Sequence, residues 1–158
     1  MASLIVFDLD LTLWHCGSAL WCDQLDPPLH RSADGRVHSA CRSEVRLFPD
    51  VPGLLDTLSS GGFDLAIASR TDAPDIAEEL LKLLGIARHF PIPHRQIYPG
   101  DKTAHFHALR DETGLAFDEM LFFDDEPRNI ESVSRLGVTA RLVKHGMTRT
   151  DLEAVMRW

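Results

Sequence analysis

Leu4-Ile5-Val6-Phe7 is an unbroken apolar run that ends on Asp8. A short run of this kind with β-branched members predicts a strand buried on both faces, as parallel strands are. Phe63 to Ala68, and Met120 to Phe123, repeat the pattern, and Gln96-Ile97-Tyr98 and Val138 to Val143 are shorter or weaker versions of it. Helical signals fall between these strands. Pro52 to Ser59 reads as a short helix stopped by Gly61-Gly62. Asp72 and Pro74 open a second, whose apolar face is Ile76, Ala77, Leu80, Leu81 and Leu84, up to Gly85. A third runs from about Lys102 to Asp111, and a fourth from Ile130 to Leu136 before Gly137. Alternation of strand and helix predicts an α/β fold: a doubly wound, Rossmann-like parallel sheet of five strands with helices on both faces.

Residues 14–48 break that rhythm. They are rich in His, Ser, Arg, Pro and Asp and hold no sustained helical period. Asp34-Gly35 predicts a hairpin turn, with Arg36-Val37-His38 beginning the return strand. This stretch reads as a small insertion after the first strand, a flap over one end of the core. The whole chain, 1–158, reads as one domain with no segment long enough to form a large cap.

Charge and cysteine content narrow the setting. Asp and Glu number 24 against 16 Lys and Arg, a formal charge of -8. That balance speaks against a nucleic-acid or anionic-membrane partner, both of which need a basic face. The N-terminal apolar run is too short for a signal peptide and lacks a basic flank, and no segment approaches a membrane span. Cys16, Cys22 and Cys41 are odd in number and fit no tight zinc-ligand spacing, so a reducing cytoplasm with free thiols is expected.

Chemistry gathers where the strands stop. The first ends in Asp8-Leu9-Asp10-Leu11-Thr12, the second in Ser69-Arg70-Thr71, the fourth in Asp124-Asp125-Glu126. Ligands of open parallel sheets bind beyond the carboxyl ends of the strands, so these residues should share one crevice. Asp8 and Asp10 are two apart and share a side while the chain stays extended. Lys102, opening a helix, is the one cation expected to point in. Several close carboxylates cannot all ionise without a further cation. Oxygen-only donors favour a hard divalent ion, with Mg²⁺ the best fit, and Mg²⁺ in turn points to a phosphorylated substrate. By contrast, His105 and His107 read as surface groups, and Trp14 and Trp21 as packing residues in preference to lining the site mouth.

Asp8-Leu9-Asp10-Leu11-Thr12, Ser69, Lys102 and Asp124-Asp125 resemble the four ordered motifs of the haloacid dehalogenase superfamily. Phe7 to Trp14, Ala68 to Thr71, and Phe122 to Glu126 with Arg128-Asn129-Ile130 are similar to its capless magnesium-dependent phosphatase-1 group. The resemblance implies a Mg²⁺-dependent phosphatase. Asp8 would be the nucleophile, forming an aspartyl-phosphate, and Asp10 the general acid and base. Phosphoryl oxygens would be held by Ser69, Lys102, Arg70 and main-chain N–H groups such as that of Leu9. Asp8, Asp125 and the Asp10 carbonyl would ligate Mg²⁺, with Asp124 behind them or acting through water, and Asn129 a further supporting partner. The substrate would be a small phosphorylated metabolite such as a sugar phosphate, or phosphotyrosine. Other readings stay open: a phosphomutase, a receiver-like phosphorylatable module, or an inactive binding member. The order of the motifs, with Asp-x-Asp first and Asp-Asp on the fourth strand, disfavours the receiver.

Overall fold

A computed structural model describes residues 2–156. The expected domain, 1–158, also takes in residues 1, 157 and 158, which lie outside the described residues. In chain order the elements begin with β1 (Leu4–Phe7), then β2 (Trp14–His15), β3 (His30–Arg31), β4 (Val37–His38) and β5 (Glu44–Leu47). They continue through α1 (Val51–Ser60), β6 (Asp64–Ser69), α2 (Pro74–Leu83), β7 (Arg95–Ile97) and α3 (Lys102–Thr113). Last come β8 (Met120–Asp124), α4 (Pro127–Ser134), β9 (Thr139–Leu142) and α5 (Arg149–Glu153).

Five strands form one parallel sheet in the order β7-β6-β1-β8-β9. The fold is α/β and doubly wound. Successive strands are laid to one side of β1 and then to the other, which places a switch point at the carboxyl end of the central strand. The apolar run of β1 serves two cores, because strand side chains alternate between faces. Ile5 and Phe7 pack with Leu54, Leu58, Leu80 and Leu152 from α1, α2 and α5. Leu4 and Val6 pack with Phe106, Leu109 and Val133 from α3 and α4 on the opposite face. Burial on both sides is why these strands lack a polar alternation.

The 14–48 segment forms a second, four-stranded sheet, ordered β2-β5-β4-β3 and antiparallel throughout. Its hairpin between β3 and β4 turns at Asp34-Gly35, where Gly35 takes a positive φ of 85°. Trp14, Cys22, Leu29, Val37 and Val45 join the α1–α2 core, so the small sheet is anchored through its apolar side chains. No helix among the described residues is long and apolar enough to cross a membrane.

The start of the fourth expected helix differs from expectation. The helix expected from Ile130 begins at Pro127, because proline suits the first turn, where its missing N–H is not needed. Strand pairing in β1 ends at Phe7, and the chain then turns through Leu11, whose φ of 63° is left-handed. The turn follows Asp10, and Asp8 and Asp10 both line the same pocket, as their spacing predicts.

Candidate active site

At the carboxyl end of the sheet, one pocket of about 190 Å³ is lined by Asp8, Asp10, Ser69, Arg70, Lys102 and Asp125. Trp21, Asp23, Thr71, Glu126, Arg128 and Asn129 complete its wall. Asp8 follows β1, Ser69 ends β6, Asp124 ends β8, and Lys102 is the first residue of α3. The N-cap of α3 is Asp101, whose carboxylate accepts the Thr103 N–H at 2.9 Å, so the turn that aims Lys102 inward is locally specified.

Lys102 is 1% exposed, and its ammonium has all three protons engaged. Nζ donates to Asp8 Oδ1 at 2.9 Å, Asp124 Oδ2 at 2.9 Å and the Ala68 carbonyl at 2.6 Å. Burial alone would press its pKa down, but the Asp8 and Asp124 carboxylates outweigh that and hold it above the ordinary lysine value. Asp124 is fully buried; Oδ2 also accepts from Asn129 Nδ2 at 3.0 Å, and Oδ1 from the Glu126 N–H at 2.9 Å. Asp8 Oδ2 accepts from Thr12 Oγ1 at 3.2 Å. Burial, together with the charges of Asp124 and Asp125, pushes the Asp8 carboxyl well above its ordinary range despite Lys102. Burial likewise pushes Asp125 up to about 6.

Asp10 is held differently. Its Oδ1 accepts from Trp14 Nε1 at 2.7 Å and from the Cys22 N–H at 3.1 Å, with Cys16 Sγ at 3.6 Å. No cation touches it among the described residues, and burial raises its pKa. Asp10 also lines the pocket.

Oxygen atoms of Asp8, Asp124 and Asp125 come within 4.8 Å of one another. Three carboxylates facing one ammonium leave an excess of negative charge, and that donor set fits a hard divalent cation. Among the three, Asp8 and Asp125 face the pocket, while Asp124 points into the interior.

Most of the expected residues converge here, though not all in the way foreseen. The Leu9 side chain is wholly buried in the core, so only its main chain is left to face a ligand. Arg70 lies on the pocket wall and donates to Asn129 Oδ1 at 3.4 Å. Trp21, expected as a packing residue, is instead exposed on the pocket wall, and with Asp23 it brings the 14–48 segment to the site. Trp14 is a core residue, as expected, yet its indole also orients Asp10. Thr12 was visible inside the Asp-x-Asp-x-Thr string without a stated role. His105 is also corrected: it is not a surface group but is fully buried, with both ring nitrogens against main-chain carbonyls. His107 is exposed as expected.

The lysine's place makes a stability prediction. Lys102→Met removes the cation from two buried carboxylates and should cost about 3–5 kcal/mol at neutral pH, the range for breaking one side of a buried ion pair. Denaturant midpoints would measure it. The deficit should shrink in acid, where the stranded carboxyls take up protons, and an unchanged midpoint at pH 7 would contradict the ion-pair account.

Comparison with known proteins follows the same lines. A family model described as Acid Phosphatase matches residues 1–158. Human magnesium-dependent phosphatase 1 is 47% identical over 153 residues, covering 96% of this chain and 84% of that one. A HAD-like hydrolase superfamily protein of Schizosaccharomyces pombe is 37% identical over 146 residues, 85% of this chain and 81% of its own. Among solved structures, a haloacid dehalogenase-like hydrolase from Streptococcus pneumoniae shares the fold at a TM-score of 0.64 and 20% identity, covering 97% of this chain and 90% of that one. A HAD family enzyme from Bacteroides thetaiotaomicron, solved with magnesium and inorganic phosphate, superposes at a TM-score of 0.62 and 16% identity, covering 96% and 99%.

Proposed function

The chain belongs to the acid phosphatase family, within the haloacid dehalogenase superfamily, and from that premise we propose a Mg²⁺-dependent phosphomonoester hydrolase that works through an aspartyl-phosphate on Asp8. The contrast between two carboxyls in one pocket carries the reading. Asp8 is bonded to a buried ammonium, which suits a group that must act as an anion. Asp10 touches no cation among the described residues, is held by neutral donors at Oδ1, and lines the pocket where a leaving oxygen would need a proton. Burial raises both carboxyls in the absence of a cation, so the division into nucleophile and proton carrier rests on their partners, an ammonium for Asp8 and neutral donors for Asp10.

The steps follow. An Asp8 oxygen attacks phosphorus, the bond to the leaving oxygen breaks, and Asp10 gives that oxygen a proton. Water then attacks the phosphoryl group, Asp10 takes its proton, and the Asp8–phosphorus bond breaks to release inorganic phosphate. Lys102 and Ser69 hold the phosphoryl oxygens, with Arg70 and the Leu9 N–H in support. Asp8, Asp125 and the Asp10 carbonyl would hold Mg²⁺, with Asp124 steadied by Lys102 and Asn129 behind them. Bound there, the ion would supply positive charge to neutralise the carboxylates and the incoming phosphate.

We take the substrate to be a small phosphorylated metabolite such as a sugar phosphate. The pocket is small, and a chain of net charge -8 disfavours an acidic phosphopeptide. Residues 1–158 are read as one domain, with 14–48 as its flap. The three free cysteines suit a cytoplasmic setting. The test is phosphate release from an aryl phosphate, a panel of sugar phosphates and phosphotyrosine, with Mg²⁺ or with chelator. Release that survives chelation would overturn the metal's role, and preference for phosphotyrosine would overturn the substrate assignment.

A pH dependence follows from Asp125. Without a cation its carboxyl titrates at about 6, so Mg²⁺ must displace a proton below that point. The raised acid also favours the apo fold below its unfolded pKa, and that contribution is lost as pH rises through about 6. Mg²⁺ should therefore raise the melting temperature clearly at pH 7.5 and much less at pH 5. An equal rise at both would remove Asp125 from the ligand set.

A further inference from the structure

His105 sits one turn after Lys102 on α3, wholly buried, its ring stacked on Tyr98 with centroids 4.3 Å apart. Its Nε2 lies 2.9 Å from the Ser69 carbonyl oxygen and 2.8 Å from that of Tyr98, while Nδ1 lies 3.0 Å from that of Asp101. Each acceptor belongs to a different piece of the fold. Ser69 ends β6, Tyr98 follows β7, and Asp101 caps α3. None of the three carbonyls can donate, so the ring is the donor in any hydrogen bond made here. A hydrogen on Nε2 reaches two of them as a three-centre bond, whereas one on Nδ1 reaches only Asp101 O. Asp101 O already accepts from the Ala104 N–H at 3.0 Å, so it does not depend on Nδ1. Burial and the nearby Lys102 ammonium hold the ring below its ordinary pKa, consistent with a neutral imidazole.

We infer that His105 is a positioning residue for phosphoryl binding: its Nε2–H clasps the end of β6 to α3, fixing the spacing between Ser69 and Lys102. The Tyr98 N–H also donates to Ser69 O at 3.1 Å, so both lone pairs of that carbonyl are used. Ser69 thus reaches the pocket from a strand end tied on two sides. Lys102 reaches it from the first residue of the helix that carries the clasp. This inference rests on the assignment of Ser69 and Lys102 to phosphoryl binding.

The test compares His105→Phe, which keeps the ring stack but removes the N–H, with His105→Gln, whose amide nitrogen can occupy the place of Nε2. Each is measured for kcat/KM with an aryl phosphate and Mg²⁺, beside Ser69→Ala and the Ser69→Ala, His105→Phe pair. Melting temperatures are recorded for all. Small misplacements of a binding group cost up to about 10²-fold, so His105→Phe should lose about 10–100-fold in kcat/KM. His105→Gln should recover most of it, and the double variant should be no worse than Ser69→Ala alone. A lowered melting temperature with kcat/KM within about twofold of wild type, or losses that multiply in the double variant, would overturn the proposal. Should His105→Phe fail to fold, ring ¹⁵N shifts of the wild-type protein decide instead: a proton on Nδ1 rather than Nε2 overturns it, and one on Nε2 supports it. Those shifts do not depend on turnover. A wild type with no phosphatase activity but a proton on Nε2 would therefore sink the hydrolase reading while leaving the clasp intact.

Discussion

Asp8→Asn is expected to abolish phosphate release, with kcat falling by about 10⁴–10⁶-fold, as losses of a covalent nucleophile do. The amide is nearly isosteric and its oxygen can still accept from Lys102, so the fold should persist. Stability should in fact move the other way from activity. In the wild type the Asp8 carboxyl is pushed up by burial and by Asp124 and Asp125, which means that its ionised form is costly in the apo fold. A neutral side chain removes that repulsion. Measured without Mg²⁺ at pH 7.5, the variant should melt at or above the wild-type temperature. With Mg²⁺ it should gain less than the wild type, having lost a ligand. Turnover within tenfold of wild type would remove Asp8 as nucleophile; a variant that melts far lower would show that its charge serves the fold.

The parts of this architecture that were legible in the chain are those where burial and period coincide. Leu4 to Phe7 faces two cores at once, and only an all-apolar strand can do so; the same holds for Leu65 to Ala68 and Met120 to Phe123. The site was legible because each of its acids and Ser69 stands where such a strand stops. The 14–48 sheet was not, beyond its hairpin turn. Its strands are as short as two residues, and both residues of β3, His30 and Arg31, are exposed, so no alternation exists to be read. His105 was misjudged for a different reason. Its i, i+2 relation to His107 correctly separates the two rings, but what buries His105 is a set of carbonyls from β6 and the turn after β7, invisible in local spacing. Trp14 likewise reads as a core residue and is one, while its indole N–H acts on a carboxylate brought near by the turn at Leu11.

Asp10→Asn separates proton transfer from the geometry of the turn. The asparagine oxygen can still accept from Trp14 and Cys22, so the loop between β1 and β2 should keep its shape. What is lost is the carboxyl proton. General acid–base help is worth about 10²–10⁴-fold, and turnover should fall by that amount. The loss should depend on the leaving group. An aryl phosphate with an acidic phenol departs without protonation, so Asp8 should still be phosphorylated while the second step, which needs a base for water, stalls. The phosphoenzyme then accumulates and is seen as a burst of phenol and as the mass of one added phosphoryl group. A sugar phosphate has a poor leaving group and needs the proton at the first step, so neither burst nor adduct should form. Equal losses for both esters, with no trapped phosphoenzyme, would mean that Asp10 does no more than organise the turn. The carboxyl that lines the pocket would then have no chemical part.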